Sequence, residues 1–128
     1  MVLEILNYNF SICKVEDVSQ LDWNKEFCFF QKTDKEISAV LREEDIPLNF
    51  IKRNNGWKGF RINGVLDFSL VGIISKITRI LARNKIGVFV VSSYNTDYFF
   101  VKEQQFNIAV ESLKKRRFKF KEIGDMKK

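Results

Sequence analysis

The chain has 128 residues, 45% of them hydrophobic, and a formal net charge of +6, which suits one ordinary domain or two very small ones with a real core. Six Gly and one Pro exclude a long disordered linker. No apolar run approaches the roughly 20 residues of a membrane span, and Met1-Val2-Leu3-Glu4 lacks the basic-then-apolar layout of a signal peptide, so a cytoplasmic protein is expected.

Thirteen Phe point to a core of large flat rings. Cys13 and Cys28 read as reduced, packed hydrophobes. Residues 10–15 and 27–32, rich in Phe, Val, Ile and Cys, predict short strands. After the polar break Lys32-Thr33-Asp34-Lys35-Glu36, residues 37–41 predict another. The charged segment 42–56, with Pro47 and Asn54-Asn55-Gly56, reads as a helical turn followed by a loop. Residues 57–62 alternate, with Trp57, Gly59 and Arg61 on one face and Lys58, Phe60 and Ile62 on the other.

The period then changes. Leu70, Ile73, Ile74, Ile77, Ile80 and Leu81 fall at helical spacing, and Asp67 or Ser69 is placed to cap that helix. Residues 86–93 are apolar on both faces and predict a central strand. Tyr94-Asn95-Thr96-Asp97 predicts a turn, and 98–101 a hairpin partner. Phe106, Ala109, Val110 and Leu113 mark a second amphipathic helix. Phe118, Phe120 and Glu122 alternate in a last strand. The order from Trp57 to Ile123 is β-α-β-β-α-β, the ferredoxin-like order with both helices on one face of the sheet. Thr33-Asp34 and Thr96-Asp97, each between two strands, form a faint internal repeat. The first half lacks a clear first helix, so it reads as an abbreviated copy. The expected organisation is an abbreviated unit over 1–55, a full unit over 56–123 and a basic tail over 124–128.

The surplus charge is local. Residues 1–113 carry equal numbers of acidic and basic side chains, and the excess lies from Lys114 onward. This reads as a helix end decorated with cations, which its dipole favours, and a lysine-guarded edge strand. A polyanion contact is the alternative. Lacking His, the chain lacks the usual general base and most metal sites. Neither Cys sits in a spaced pair, and no Gly-rich phosphate loop occurs. A protein without catalytic residues, metal or cofactor is expected.

Gly64-Val-Leu-Asp67-Phe68-Ser69-Leu-Val-Gly72, with Leu81-Ala82, Ile86-Gly-Val88 and Ser92-Ser93-Tyr94-Asn95-Thr96-Asp97-Tyr98, resembles the ACT domain. It resembles in particular the tandem small-molecule-binding group related to the regulatory region of aspartate kinases, and cytosolic arginine sensors of the CASTOR type look similar. The resemblance is tight over about 56–115 and looser in the first half. It implies an α+β fold of two ferredoxin-like units. It also implies a small-molecule site where two units meet, a homodimer, and a regulated protein partner. The site would draw on Asp67, Phe68, Ser69, Leu70 and Gly72 from one segment, and on Ser92, Ser93, Asn95, Thr96 and Asp97 from the other. Bulky Leu66 and Phe68 depart from the aspartate kinases.

The chemistry of these segments suits an amino acid. A helix start offers free N–H groups to a carboxylate, Gly72 leaves room for close approach, and Asp97 can accept from an ammonium. Each residue also has a bland use. Asp67 and Ser69 are good caps, Asn95, Asp97, Thr33 and Asp34 are good turn formers, and Trp57 and Tyr94 read as packing. A ligand-free interaction module and a basic-tailed nucleic-acid binder remain as alternatives. The second would need exposed aromatics on central strands beside basic residues.

Overall fold

A computed structural model describes residues 1–64 and 72–123. The elements are β1 (Val2–Val15), β2 (Phe29–Lys32), β3 (Ile37–Arg42), β4 (Phe50–Ile62), α1 (Ile73–Arg83), β5 (Val88–Ser92), β6 (Asp97–Lys102), α2 (Phe106–Lys114) and β7 (Lys119–Glu122). The protein is α+β, and none of the described helices is long and apolar enough to cross a membrane. The chain forms two compact units, one of Tyr8–Trp57 and one of Met1–Asn7 with the chain from Lys58 onward. The first seven residues, expected with the N-terminal half, thus belong with the second.

In that larger unit the strands lie in the order β7-β1-β4-β6-β5. The sequence order β-α-β-β-α-β holds from β4 to β7, but β7 does not pair with β4. The start of β1 lies between them, pairing in parallel with β7 from Val2↔Lys119 to Ile5↔Glu122. The Asn63 N–H donates to the Val2 carbonyl at 2.9 Å, joining the end of β4 to the start of β1. Residues 2–9 escaped recognition as strand because Glu4, Asn7 and Asn9 break the apolar pattern. Glu4 is nonetheless buried and ion-paired with Arg61 of β4 at 3.3 Å.

Both helices deliver their apolar faces to one core. Ile77, Ile80 and Leu81 of α1 meet Phe106, Ala109, Val110 and Leu113 of α2, over Leu3, Phe60, Ile62, Phe99 and Val101 of the strands. The Phe60 ring stacks on Phe99 at 5.2 Å and meets Phe120 edge-on at 5.7 Å. The α2 periodicity is as read from the sequence. In α1, Ile74 faces solvent. The helix begins at Ile73, not Leu70, because Gly72 has a left-handed φ of 83° that no right-handed helix contains. Leu70 and the expected caps Asp67 and Ser69 lie outside the described residues.

The strand expected to be central, β5, ends the strand order and pairs with β6 alone among the described residues. Its apolarity has a different cause: both faces are half-buried, while one edge is unpaired among the described residues. Val88 and Val90 pack against the core, and Phe89 stacks on Phe100 at 4.8 Å on the other face.

The smaller unit is built from β2, β3 and the adjoining lengths of β1 and β4. The segment expected as loop after residue 49 is strand: β4 starts at Phe50, and the Gly56 N–H within it donates to the Glu43 carboxylate at 2.7 Å. The internal repeat is real but differs in register. Phe29↔Val40 to Lys32↔Ile37 matches Phe89↔Phe100 to Ser92↔Asp97 residue for residue, so Thr33 corresponds to Ser93 and not to Thr96. Each hairpin then enters a 3-10 turn, Glu43–Asp45 or Glu103–Gln105. The copies diverge there. Phe106 turns helical into α2, whereas Ile46 is extended, because a residue before proline, here Pro47, is driven out of the helical region.

A small core of Cys13, Val15, Ala39 and Leu41, flanked by Leu21, Cys28, Phe30, Ile37 and Ile46, holds this unit. Burial pushes the Cys13 thiol above its ordinary range, outweighing the opposite pulls of Arg53 and a backbone hydrogen bond from Ala39. Burial raises Cys28 as well, where its Sγ donates to the Lys25 carbonyl. Since the thiolate is the reactive form, Cys13 is expected to react with a disulfide reagent at neutral pH only as fast as the unit unfolds. Labelling of Cys13 in the native protein at the rate seen in guanidinium would contradict this packing.

Candidate functional site

The hairpin β5–β6 closes through a four-residue turn. The Ser93 N–H donates to the Thr96 carbonyl at 2.8 Å, and the Ser93 hydroxyl bonds both the carbonyl and the N–H of Thr96. Thr96 is buried, and its hydroxyl donates to the Ile62 carbonyl at 2.9 Å, tying the turn to the end of β4. These two residues therefore shape the loop. Asn95 lies exposed in it.

At the mouth of the hairpin Ser92 and Asp97 face each other as the last cross-strand pair. The Ser92 hydroxyl donates to Asp97 Oδ1 at 2.6 Å. The other carboxylate oxygen has no hydrogen-bond partner among the described residues, so it can accept from an incoming ammonium. Sequence reasoning named both residues but missed their pairing; the signal was the five-residue spacing across a four-residue turn. Tyr94, expected as packing, is 81% exposed beside them, because the turn carries it away from the core.

Gly72 precedes α1 and has no side chain with which to cap its first turn. A side chain at this position would meet nothing within 4 Å among the described residues. The other expected members of this segment, Asp67, Phe68, Ser69 and Leu70, lie outside the described residues. Behind the hairpin, Tyr98 bonds Arg61 at 3.5 Å, and Arg61 pairs with Glu4. Burial opposes the Arg61 charge, but Tyr98 and Glu4 more than offset it and hold the guanidinium firmly protonated.

A family model described as "ACT domain" matches residues 52–115. The chain is similar in structure to the protein Atu0741 of Agobacterium tumefaciens, with a TM-score of 0.83 and 26% identity over 94% of this chain and 92% of that one. A Vibrio cholerae protein of unknown function, VC0802, described as a possible transport protein, matches with a TM-score of 0.66 and 16% identity, over 87% and 85% of the two chains. The aspartate kinase of Clostridium acetobutylicum matches at 0.62 with 14% identity, over 86% of this chain but 32% of the kinase. Among curated proteins no match is found.

Proposed function

Because the chain belongs to the ACT-domain family, we propose that it is a cytoplasmic, non-catalytic regulatory protein that binds a free amino acid between two ACT units. The observation that carries this reading is the Ser92–Asp97 pair, a carboxylate held by one hydroxyl at the open end of a hairpin. The ligand ammonium would bond Asp97, and the N–H groups at the start of α1 beyond Gly72 would receive its carboxylate. The edge of β5, unpaired among the described residues and with exposed Tyr94 at its end, supports pairing of two chains along that edge, which would complete the pocket and make the protein a homodimer. Ligand occupancy would then alter the surface offered to a protein partner.

A thermal-shift screen of the twenty amino acids tests the reading, with light scattering on the same samples. One amino acid, or a few related ones, is expected to raise the midpoint by about 2–8 °C, since a ligand at 100 times its dissociation constant adds about 2.7 kcal/mol. Asp97→Ala is expected to abolish the shift while moving the unliganded midpoint little. A lower unliganded midpoint with the shift retained would make Asp97 a turn residue only. The open β5 edge equally favours a second reading, a ligand-free module that pairs through that edge. A flat response from all twenty amino acids with a dimeric mass would select it.

A further inference from the structure

Six cations line one cleft between the helices of the larger unit. Lys76, Arg79 and Arg83 come from α1, Lys115, Arg116 and Arg117 follow α2, and Ile80 is the one apolar residue of the lining among the described residues. The cleft has a volume of about 440 Å³. The α1 cations recur three and four residues apart, which sets them along one stripe of the helix. None of the six forms an ion pair among the described residues; the nearby Glu111 pairs with Lys114 instead. Lys76 is held over the Phe118 ring at 5.3 Å, and Arg79 donates to the Ser75 hydroxyl at 3.2 Å.

Concentrating six like charges without a counter-charge among the described residues opposes folding by mutual repulsion. Arg117 adds to the cost, because it adopts a φ of 73° just past α2, a position that favours glycine. Strain of this kind persists where the surrounding structure enforces it, and it clusters at functional sites.

We propose that this cleft binds a compact polyphosphate group. The charge converges on one concavity of small-ligand size, and guanidinium forks suit phosphate oxygens. Among the described residues no aromatic ring lines it to stack a base, which favours a compact anion over a nucleic acid. The site shares no residue with the Ser92–Asp97 hairpin, so it stands or falls independently of amino-acid binding.

Calorimetric titration of the full chain with tripolyphosphate, ATP and a 20-base-pair DNA duplex at about 0.15 M salt, where the Debye length is near 8 Å, is the test. Tripolyphosphate and ATP are expected to bind with affinities within about threefold of one another, and the duplex more weakly. The double variant Arg79→Gln/Arg116→Gln is expected to lose at least about tenfold in affinity, the equivalent of 1.4 kcal/mol. The double variant Lys14→Gln/Lys35→Gln, which removes the same charge from exposed positions in the smaller unit, is expected to lose less than about twofold. Arg117→Gly is expected to raise the thermal midpoint while weakening tripolyphosphate binding, two shifts that a purely structural arginine would not couple. Absence of tripolyphosphate binding overturns the proposal, as do equal losses from both double variants. Tighter binding of the duplex overturns it in favour of a nucleic-acid surface, and ATP binding more than about tenfold tighter than tripolyphosphate overturns phosphate-only recognition.

Discussion

Removing Met1–Asn7 is expected to abolish cooperative folding of the larger unit, although the chain from Lys58 onward keeps both helices and the strand segments of β4 to β7. Leu3 and Leu6 are fully buried, and losing large buried aliphatic side chains costs about 2–5 kcal/mol each. The deletion also strips β7 of its β1 partner and leaves the end of β4 paired on its β6 side alone. These losses together reach the whole stability of a typical domain, about 5–15 kcal/mol. Circular dichroism during a thermal melt checks it. A cooperative transition within a few degrees of the intact chain would show that β1 decorates the sheet and does not complete it.

Gly59→Val is expected to lower stability by about 3 kcal/mol, at the upper end of typical overpacking penalties. For a chain of this size that corresponds to a fall of about 10–15 °C in the midpoint. A Cβ at Gly59 would lie 2.8 Å from Phe100 Cε1, 2.9 Å from its Cδ1 and 3.3 Å from Leu6 Cδ1. Phe100 cannot swing clear, since it is fully buried and stacked on Phe89. The sign is informative because replacing a strand glycine ordinarily helps by reducing the freedom of the unfolded chain. Adding Phe100→Leu should recover part of the loss if the ring is the obstacle. A midpoint unchanged by Gly59→Val would mean that Phe100 has room to move.

What the sequence reveals follows how local the cause is. The faces of 57–62 and of α2 are legible because one alternation or one helical stripe meets one core. The Ser93–Thr96 turn is legible because short polar residues bond their own backbone. The pairing of β1 with β7 depends on residues more than a hundred positions apart, and charged Glu4 conceals the strand until Arg61 is placed beside it. The edge position of β5 was hidden because burial of two faces and pairing on two edges leave the same apolar run. Part of the charge pattern is hidden for a similar reason. Lys76, Arg79 and Arg83 balance against acids when counted along the chain, and only folding sets them opposite Lys115, Arg116 and Arg117.

The parallel pairing of Leu3 with Phe120 also has a kinetic consequence. Closing a loop of that length carries an entropic cost of about 4 kcal/mol before its contacts form. During synthesis at about 5–20 residues per second, Leu3 and Leu6 emerge many seconds before Lys119–Glu122 exists to be paired. The smaller unit is free of this delay, because its strands lie within Tyr8–Trp57. Nascent chains are therefore expected to expose Leu3 and Leu6 unmatched while the smaller unit is already folded, and to favour chaperone capture at that stage. The strand made earliest in the larger unit is the one that waits longest for its neighbour.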